Sequence, residues 1–187
     1  MPTLSLSINR TDGPSLGDDA LSPRQRNAAL GKALEASLRK HFRQRDAQPN
    51  KRNWKRQHFW GRIRNATSLA GYDDQKAVVT ISDPAYSLKV HGGTVRPKEA
   101  KALTIPLREE AYGIRASSGI IRDLFFIRMR GSKKAYLAKR EGTALRLYYL
   151  LVKQTRHKPD PEALPPTRTL QQAFAQAIDS LSKTPAT

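Results

Sequence analysis

The sequence predicts an α+β fold, in which an antiparallel sheet carries a long N-terminal helix and a C-terminal helix, preceded by a loose N-terminal arm. Two observations support this class. Apolar residues recur with a helical period after residue 22 and again after residue 166, and they alternate with a period of two in the stretches between, which is typical of strands. The order helix, strands, helix favours helices laid on one sheet.

The arm comprises residues 1–21, which are rich in Ser, Gly, Asp and Pro. A short strand over Thr3–Ile8 is compatible with the alternation of Leu4, Leu6 and Ile8. We expect the arm to be flexible and residues 22–187 to form a single domain.

The first helix is predicted to begin at Ser22-Pro23, where a hydroxyl cap precedes a proline at the first helical position. It should end near Ala47, because Pro49 follows. Its apolar residues cover an arc of about 120°, the width of a stripe that faces a core. They are Leu30, Leu34, Leu38 and Phe42.

The next elements are predicted to be strands. Ala77–Ile81 and Tyr86–Val90 alternate around the turn Asp83-Pro84, which indicates a β-hairpin-like pair. Gly92-Gly93 would then break the second strand, since glycine adopts positive φ without steric cost.

Three further strands are expected at Ala102–Ile105, Leu124–Met129 and Leu145–Val152, the first of them ended by Pro106. By periodicity alone the third could also be a buried helix. The stretch HKPDPEALPP holds four prolines in ten residues and excludes regular structure. A final helix is predicted after it, with Thr167 as its cap. Its apolar face consists of Leu170, Phe174, Ala177, Ile178 and Leu181.

The composition points to an acidic or polyanionic partner. Lys and Arg number 34 against 16 Asp and Glu, a net charge of +18. There is no cysteine, which excludes disulfides and thiolate metal sites. No apolar run is long enough for a membrane span, and no secretory signal pattern opens the chain. We therefore expect the protein in the cytoplasm of the cell that makes it.

The basic residues are concentrated between Pro23 and Arg64, where 13 Lys and Arg face only Glu35 and Asp46, a balance of +11. We expect contacts with a polyanion to start there, and a later loop adds three more cations. The candidate contacts with DNA or an acidic partner are Arg39, Lys40, Arg43, Lys51, Arg52, Lys55, Arg56, Arg96, Lys98 and Lys101.

Three aromatic residues, Trp54, Phe59 and Trp60, lie among these cations. Aromatic and basic residues together are used to stack and neutralise single-stranded nucleic acid. Trp and Arg are also enriched at the centres of protein interfaces. A third interpretation is that the rings simply cover the sheet while arginines extend around them. We favour packing in the core or at a subunit interface.

No motif in the chain predicts catalysis. His91 beside Gly92-Gly93 has neither a nucleophile nor an orienting carboxylate near it in sequence, and we interpret it as a strand-end histidine. The phosphate-loop patterns GxxxxGK[ST] and GxGxxG are absent, and Arg96, Lys98 and Lys101 remain either phosphate contacts or a solvated loop tip.

No motif in the chain predicts a metal site either. Asp74-Gln75-Lys76 matches half of a nuclease metal site, but no second carboxylate among Asp46, Asp73 and Asp83 is marked by spacing. The histidines lack zinc-site spacing; they are His41, His58, His91 and His157. We expect no enzyme and no catalytic, metal-binding or cofactor-binding residue.

The stretch VHGGTVRPKEAKALTIP carries a resemblance to a known family. Together with Tyr86 before it and Glu110-Ala111-Tyr112-Gly113 after it, it is similar to the signature Y…hGGxIxPkxakxLxIPxxxEAxG of tailed-bacteriophage virion morphogenesis proteins. The segments HFRQRDAQPNKRNWKRQHFWGRI and KPDPEALPP, with the closing helix, extend the likeness over roughly residues 28–182. One departure lies at Trp54–Leu69, where many relatives carry a different Trp- and Thr-containing segment.

The resemblance implies a structural subunit of the phage neck or upper tail. Such proteins act as tail-completion, tail-terminator or head–tail joining subunits, usually in a six-fold ring, and the family has no catalytic residues to transfer. The expected partners are copies of this chain in a hexamer, the head-completion or connector proteins, the tail tube, and double-stranded DNA in the lumen. The expected location is the virion after assembly in the host cytoplasm, with no membrane partner.

In this interpretation the glycines and prolines of the motif are architectural. Gly92 and Gly93 let the chain reverse, and Pro97 and Pro106 stop the flanking strands from pairing further. The loop between them would present its cations to a neighbouring subunit or to DNA. The alternative is a basic nucleic-acid-binding accessory protein of a phage, and a metal-dependent nuclease is a third class that we do not expect.

Overall fold

The computed structural model describes residues 4–9 and 22–182. They belong to two compact units. Unit 1 draws on residues 1–48, 58–92 and 159–187, and unit 2 on residues 49–57 and 93–158. Helices and antiparallel strands are mixed along the chain, which confirms the predicted α+β class. The prediction of one domain from residue 22 onward stays a prediction.

Unit 1 contains four helices and a three-stranded sheet. Its elements are β1 (Leu4–Asn9), α1 (Pro23–Ala47), α2 (Phe59–Asn65), β2 (Thr67–Tyr72), β3 (Lys76–Ile81), α3 (Pro84–His91) and α4 (Thr167–Ser182). The sheet order is β1-β3-β2, and both pairings are antiparallel. Of the predicted arm, residues 4–9 form β1, which confirms the expected strand. Residues 1–3 and 10–21 lie outside the described part of the chain.

Helix α1 has the predicted start and end, and three residues of its predicted core face, Leu34, Leu38 and Phe42, are buried, whereas Leu30 is only half-buried. The Ser22 hydroxyl accepts the Gln25 N–H, and the Gln25 side chain accepts the Ser22 N–H, so that a capping box closes the first turn. Gly31 lies in the middle of the buried stripe. A Cβ there would come within 2.7 Å of Leu69 Cδ1 and 3.0 Å of Ala77 Cβ, so glycine allows the helix to approach the sheet closely.

The predicted strand over Tyr86–Val90 is wrong, because this stretch belongs to helix α3. Asp83 has an extended backbone and its carboxylate accepts the Ala85 N–H at 2.9 Å, which makes it the helix cap. Pro84 at the first helical position favours a helix start over a hairpin turn. The helix ends at Gly92, which adopts φ 69°, and Gly93 follows with φ 145°. Positive φ was therefore expected correctly, but the glycines terminate a helix.

Unit 2 contains antiparallel strands and two short 3-10 helices, Glu109–Ala111 and Ala116–Ser118. Strand β4 (Gly93–Val95) pairs with β9 (Thr155–His157), and a four-stranded sheet has the order β5-β8-β7-β6. Its strands are β5 (Leu103–Pro106), β6 (Phe125–Arg128), β7 (Ala135–Glu141) and β8 (Ala144–Val152). This confirms the three strands expected here and settles β8 as a strand. Strand β7 is not predicted by the sequence pattern, because apolar and polar residues alternate only weakly in YLAKRE.

The proline-rich stretch lies between strand β9 and the last helix, α4. Residues 158–166 contain no helix or strand, as expected, although His157 itself closes β9. Helix α4 then packs against α1. Thr167 is its first helical residue and not its cap, since the Pro166 carbonyl accepts the Thr169 and Leu170 N–H groups. The cap position therefore falls on Pro166.

Candidate functional site

A polar cluster ties three distant segments of unit 1 together. The Tyr86 hydroxyl donates to the Ala163 carbonyl at 2.9 Å, and the Asp160 N–H donates to the Lys89 carbonyl at 2.8 Å. From α1, Arg45 Nη2 donates to the Asp160 carboxylate at 2.8 Å. Arg45 also pairs with Glu162, whose carbonyl lies 3.0 Å from His41 Nε2. We call these residues the unit 1 hub.

The hub surrounds a buried aromatic core. Phe42 stacks on Trp60 with ring centroids 5.9 Å apart, and Tyr86 meets both rings edge to face. The Arg45 guanidinium lies 4.7 Å from the centre of the Trp60 ring, within reach of a cation–π contact. Burial raises the pKa of Tyr86 well above its usual range, and the Asp160 carboxylate raises it further. The Tyr86 hydroxyl therefore keeps its proton to higher pH than a solvent-exposed tyrosine, and this proton is the one donated to the Ala163 carbonyl.

The three predicted interface aromatics are divided between the units. Phe59 and Trp60 pack, partly buried, against the core of unit 1. Trp54 belongs to unit 2, where its ring meets Tyr112 edge to face at 5.5 Å and the Arg52 guanidinium lies 4.6 Å from its centre. Packing accounts for Phe59 and Trp60. A role at a subunit interface stays a prediction for all three.

Trp54 borders an open groove of about 540 Å³ in unit 2. Arginines and carboxylates line it together, along with aliphatic side chains. The lining residues are Trp54, Leu107, Arg108, Glu109, Glu110, Leu145, Arg146 and Leu147. Glu109 also accepts the Lys55 N–H at 2.7 Å. The groove therefore offers an indole and two guanidinium groups to a ligand, but with acidic groups beside them.

All ten predicted polyanion contacts are exposed. Three of them, Arg39, Lys40 and Arg43, lie on α1 in unit 1, where Arg39 pairs with Glu35 at 3.0 Å. The other seven belong to unit 2: Lys51, Arg52, Lys55, Arg56, Arg96, Lys98 and Lys101. The cations from Pro23 to Arg64 are thus continuous in the sequence but divided between unit 1 and unit 2 in the structure.

The charge itself is distributed very unevenly. Unit 2 holds 20 Lys and Arg against 5 Asp and Glu, a formal charge of +15. Unit 1 holds 14 against 11, which is +3. The polyanion contacts expected to start at Pro23–Arg64 leave out a second run of cations, from Arg122 to Arg146. Eight Lys and Arg face only Asp123 and Glu141 there, a signal that a count along the chain would have found.

The loop between β4 and β5 has a strand at each end, as predicted, but Pro106 does not stop the pairing of β5 with β8, because the Leu107 N–H beyond it donates to the Tyr148 carbonyl at 2.9 Å. Strand β4 ends at Val95, just before Pro97, and Pro106 is the last residue of β5, which lies at one edge of its sheet. Arg96 Nε donates to the Gln154 side chain at 3.1 Å, while Lys98 and Lys101 are exposed. The loop is anchored by a strand at each end, and its cations are accessible.

The carboxylates considered for metal binding have structural partners. Asp73 accepts the Gln75 and Lys76 N–H groups at 2.7 and 2.8 Å, and these bonds lower its pKa. Asp46 accepts the Gly61 N–H and lies 2.8 Å from His58. Asp83 caps α3 and pairs with Arg62. Within residues 4–9 and 22–182, no three His, Asp or Glu side chains are grouped to hold a metal ion.

His91 is the last residue of α3 and is exposed, so the expected strand-end position is corrected to a helix end. None of the helices in the described ranges is long and apolar enough to cross a membrane. Compared with family models, curated proteins and solved structures, the chain matches none of them.

Proposed function

We propose that the chain is a structural subunit of the head–tail joint of a tailed bacteriophage. As a tail-completion, tail-terminator or neck ring protein, it would cap the tail or join it to the DNA-filled capsid. The observation that carries this proposal is the unit 1 hub. It joins three segments: one begins at His41, one begins at Tyr86, and the proline-rich one ends at Pro166. These three segments are the ones that resemble virion morphogenesis proteins of tailed bacteriophages.

The motif residues have structural roles that fit a non-catalytic protein. Gly92 ends a helix at positive φ, and Ala111 is fully buried in unit 2. Gly113 has φ 80°, a backbone conformation that favours glycine, and it lies against the end of the Gln57 side chain. Gln57 in turn donates to the Tyr112 carbonyl at 3.2 Å. The two glycines hold positive-φ backbone conformations and Ala111 fills a buried position, and these are structural roles.

In the proposed mechanism, copies associate head to tail until the rotation closes a ring. Repeating +18 around a ring would oppose closure by self-repulsion. Docking on an acidic partner, or DNA passing through the lumen, would relieve that repulsion. Ring formation should therefore depend on salt, and assembly that is equally tight at low and high salt contradicts this mechanism.

Electron microscopy of lysates tests the proposal directly. The parent phage or prophage is compared with a derivative that lacks this gene and with the same derivative complemented in trans. We expect filled heads beside separate tails for a joining protein, and tails of uncontrolled length for a terminator. Complementation should restore complete particles. Normal infectious particles without the gene would overturn the structural role.

The second candidate is a nucleic-acid-binding accessory protein, which the charge of unit 2 and the Trp54 groove favour. It predicts an affinity for single-stranded DNA that falls steeply with salt and weakens on Trp54→Ala. Binding that depends on salt but not on Trp54 would indicate charge attraction without stacking. In that case this candidate is rejected in favour of the structural role.

A further inference from the structure

Strand β6 lies at an open edge of the four-stranded sheet. In the described part of the chain it pairs with β7 alone, through the register Phe125↔Ala138 to Arg128↔Ala135. A strand paired on one side presents every second N–H and C=O group on the other. Such an edge can bind another extended chain by backbone hydrogen bonds.

The edge carries unusually exposed apolar side chains. Phe126 is 57% exposed and Phe125 39%, while Met129 just beyond the strand is 50% exposed and Ile120 before it 68%. Phe125 and Phe126 are neighbours along the strand and so project from opposite faces of the sheet. An added strand at this edge would therefore find an aromatic ring on each face. Four of the six large exposed apolar residues of the described chain lie on this segment.

Cations surround this apolar edge. Five Lys and Arg lie on β6 and its flanking turns, and all five are exposed; they are Arg122, Arg128, Arg130, Lys133 and Lys134. Asp123 is the one acidic residue in the same stretch. These five cations are part of the +15 of unit 2, and the potential at the edge favours a negatively charged ligand.

We propose that the β6 edge is a docking site for an extended acidic segment of a partner protein, which adds to the sheet as a fifth strand. The backbone of the segment would pair with β6, and its apolar side chains would cover Phe125 and Phe126. Its Asp and Glu side chains would face the surrounding cations. This inference is independent of the proposed virion role, because it rests only on the sheet edge, the exposed rings and the charges.

Two other occupants fit the edge less well. A second copy of the chain would bring its own five cations against these five, which disfavours pairing of β6 with β6. Nucleic acid would satisfy the cations and could stack on Phe126, but it has no peptide groups to extend the sheet. Both occupants are distinguished from an acidic strand by the experiment.

The test uses the full chain and a fluorescent peptide of alternating Glu and Val. Three probes are compared with it: the same peptide with Lys for Glu, a version with a central proline, and single-stranded DNA of equal charge. Binding is followed by fluorescence anisotropy, hydrogen exchange at residues 125–128 is measured with and without the peptide, and sedimentation reports the oligomeric state.

Two matched variants locate the site, Phe126→Glu on β6 and Tyr72→Glu on β2. Both replace an exposed aromatic side chain, 57% and 42% exposed, and both change the net charge by the same amount. We expect Phe126→Glu to weaken binding of the Glu-Val peptide about tenfold or more, and Tyr72→Glu to change it less than about threefold. The Lys and proline peptides should bind at least about tenfold more weakly.

Hydrogen exchange in β6 should slow when the Glu-Val peptide binds, because the exposed amides gain partners. Equal effects of the two variants, unchanged exchange in β6, or DNA binding lost on Phe126→Glu at least as strongly as peptide binding would overturn the proposal. A dimer of the free chain that is abolished by Phe126→Glu would also overturn it, in favour of a second copy at the edge.

Discussion

Tyr86 illustrates how much one side chain contributes to this fold. It is completely buried, its ring meets Phe42 and Trp60, and its hydroxyl reaches the carbonyl of Ala163, 77 residues away in sequence. A buried carbonyl without a donor is costly, so the bond contributes more than a solvent-exposed equivalent. The same burial raises the pKa of the hydroxyl, because the phenolate would lose its hydration.

Replacing Tyr86 with Phe should lower the free energy of unfolding by about 1–2 kcal/mol, because the Ala163 carbonyl loses its donor while the ring packing is kept. Urea denaturation followed by tryptophan fluorescence measures this, since Trp60 packs on the same ring cluster. Tyr72→Phe is the matched control. Tyr72 is 42% exposed, and its substitution should change stability by less than about 0.5 kcal/mol. Equal losses in the two variants would refute the role assigned to the Tyr86 hydroxyl.

At the scale of elements, α3 shows where local pattern and structure disagree. Tyr86, Leu88 and Val90 alternate with polar residues, as in a half-buried strand, yet Asp83 and Pro84 begin a helix. Asp83 is 9% exposed and its carboxylate accepts from both the Ala85 N–H and Arg62 Nε. A cap of this kind satisfies a helix N–H that would otherwise lack an acceptor. The cap outweighs a five-residue alternation.

Asp83→Ala should therefore destabilise the protein by about 1–3 kcal/mol, since it removes the cap and leaves Arg62 without its partner. Asp83→Asn keeps a capping oxygen and loses only the ion pair. That pair is worth about 0–1 kcal/mol, because Arg62 is mostly solvent-exposed. The denaturation midpoints of the two variants are compared with the wild type. A loss for Asn as large as the loss for Ala would show that the ion pair, and not the cap, is the main contribution.

At the scale of the whole molecule, the main feature is the division of charge. Unit 2 carries +15 of the total +18, although it is assembled from two separate stretches of the chain. Cations that share one compact unit reinforce each other's potential within a Debye length of about 10 Å. Polyanion binding should therefore follow membership of unit 2 and not proximity in sequence.

Two triple variants test this, and each removes three positive charges. In unit 2, Arg96→Gln, Lys98→Gln and Lys101→Gln alter the loop between β4 and β5. In unit 1, Arg39→Gln, Lys40→Gln and Arg43→Gln alter α1. Using a short DNA duplex as the polyanion, we expect the loop variant to reduce the slope of log affinity against log salt by about 2–3, and the α1 variant by less than about 1. Equal reductions would show that the charge of unit 2 does not direct binding.

The sequence by itself determined the α+β class, the bounds of α1, the interruption at residues 158–166 and the strands β5 and β6. These features depend on local causes: a capping serine, prolines that cannot donate, and side-chain periods that match one backbone geometry. It also determined that the glycines at 92 and 93 need positive φ.

Only the tertiary structure decided which segments share a unit, and with that the hub, the open β6 edge and the location of the charge. Tyr86 meets Ala163, and residues 49–57 join unit 2, through contacts between positions far apart in the chain. A local pattern carries no information about such contacts, because they arise from the burial of one element against another. The strand order β5-β8-β7-β6 likewise follows from pairing between strands, and it leaves β6 at the edge.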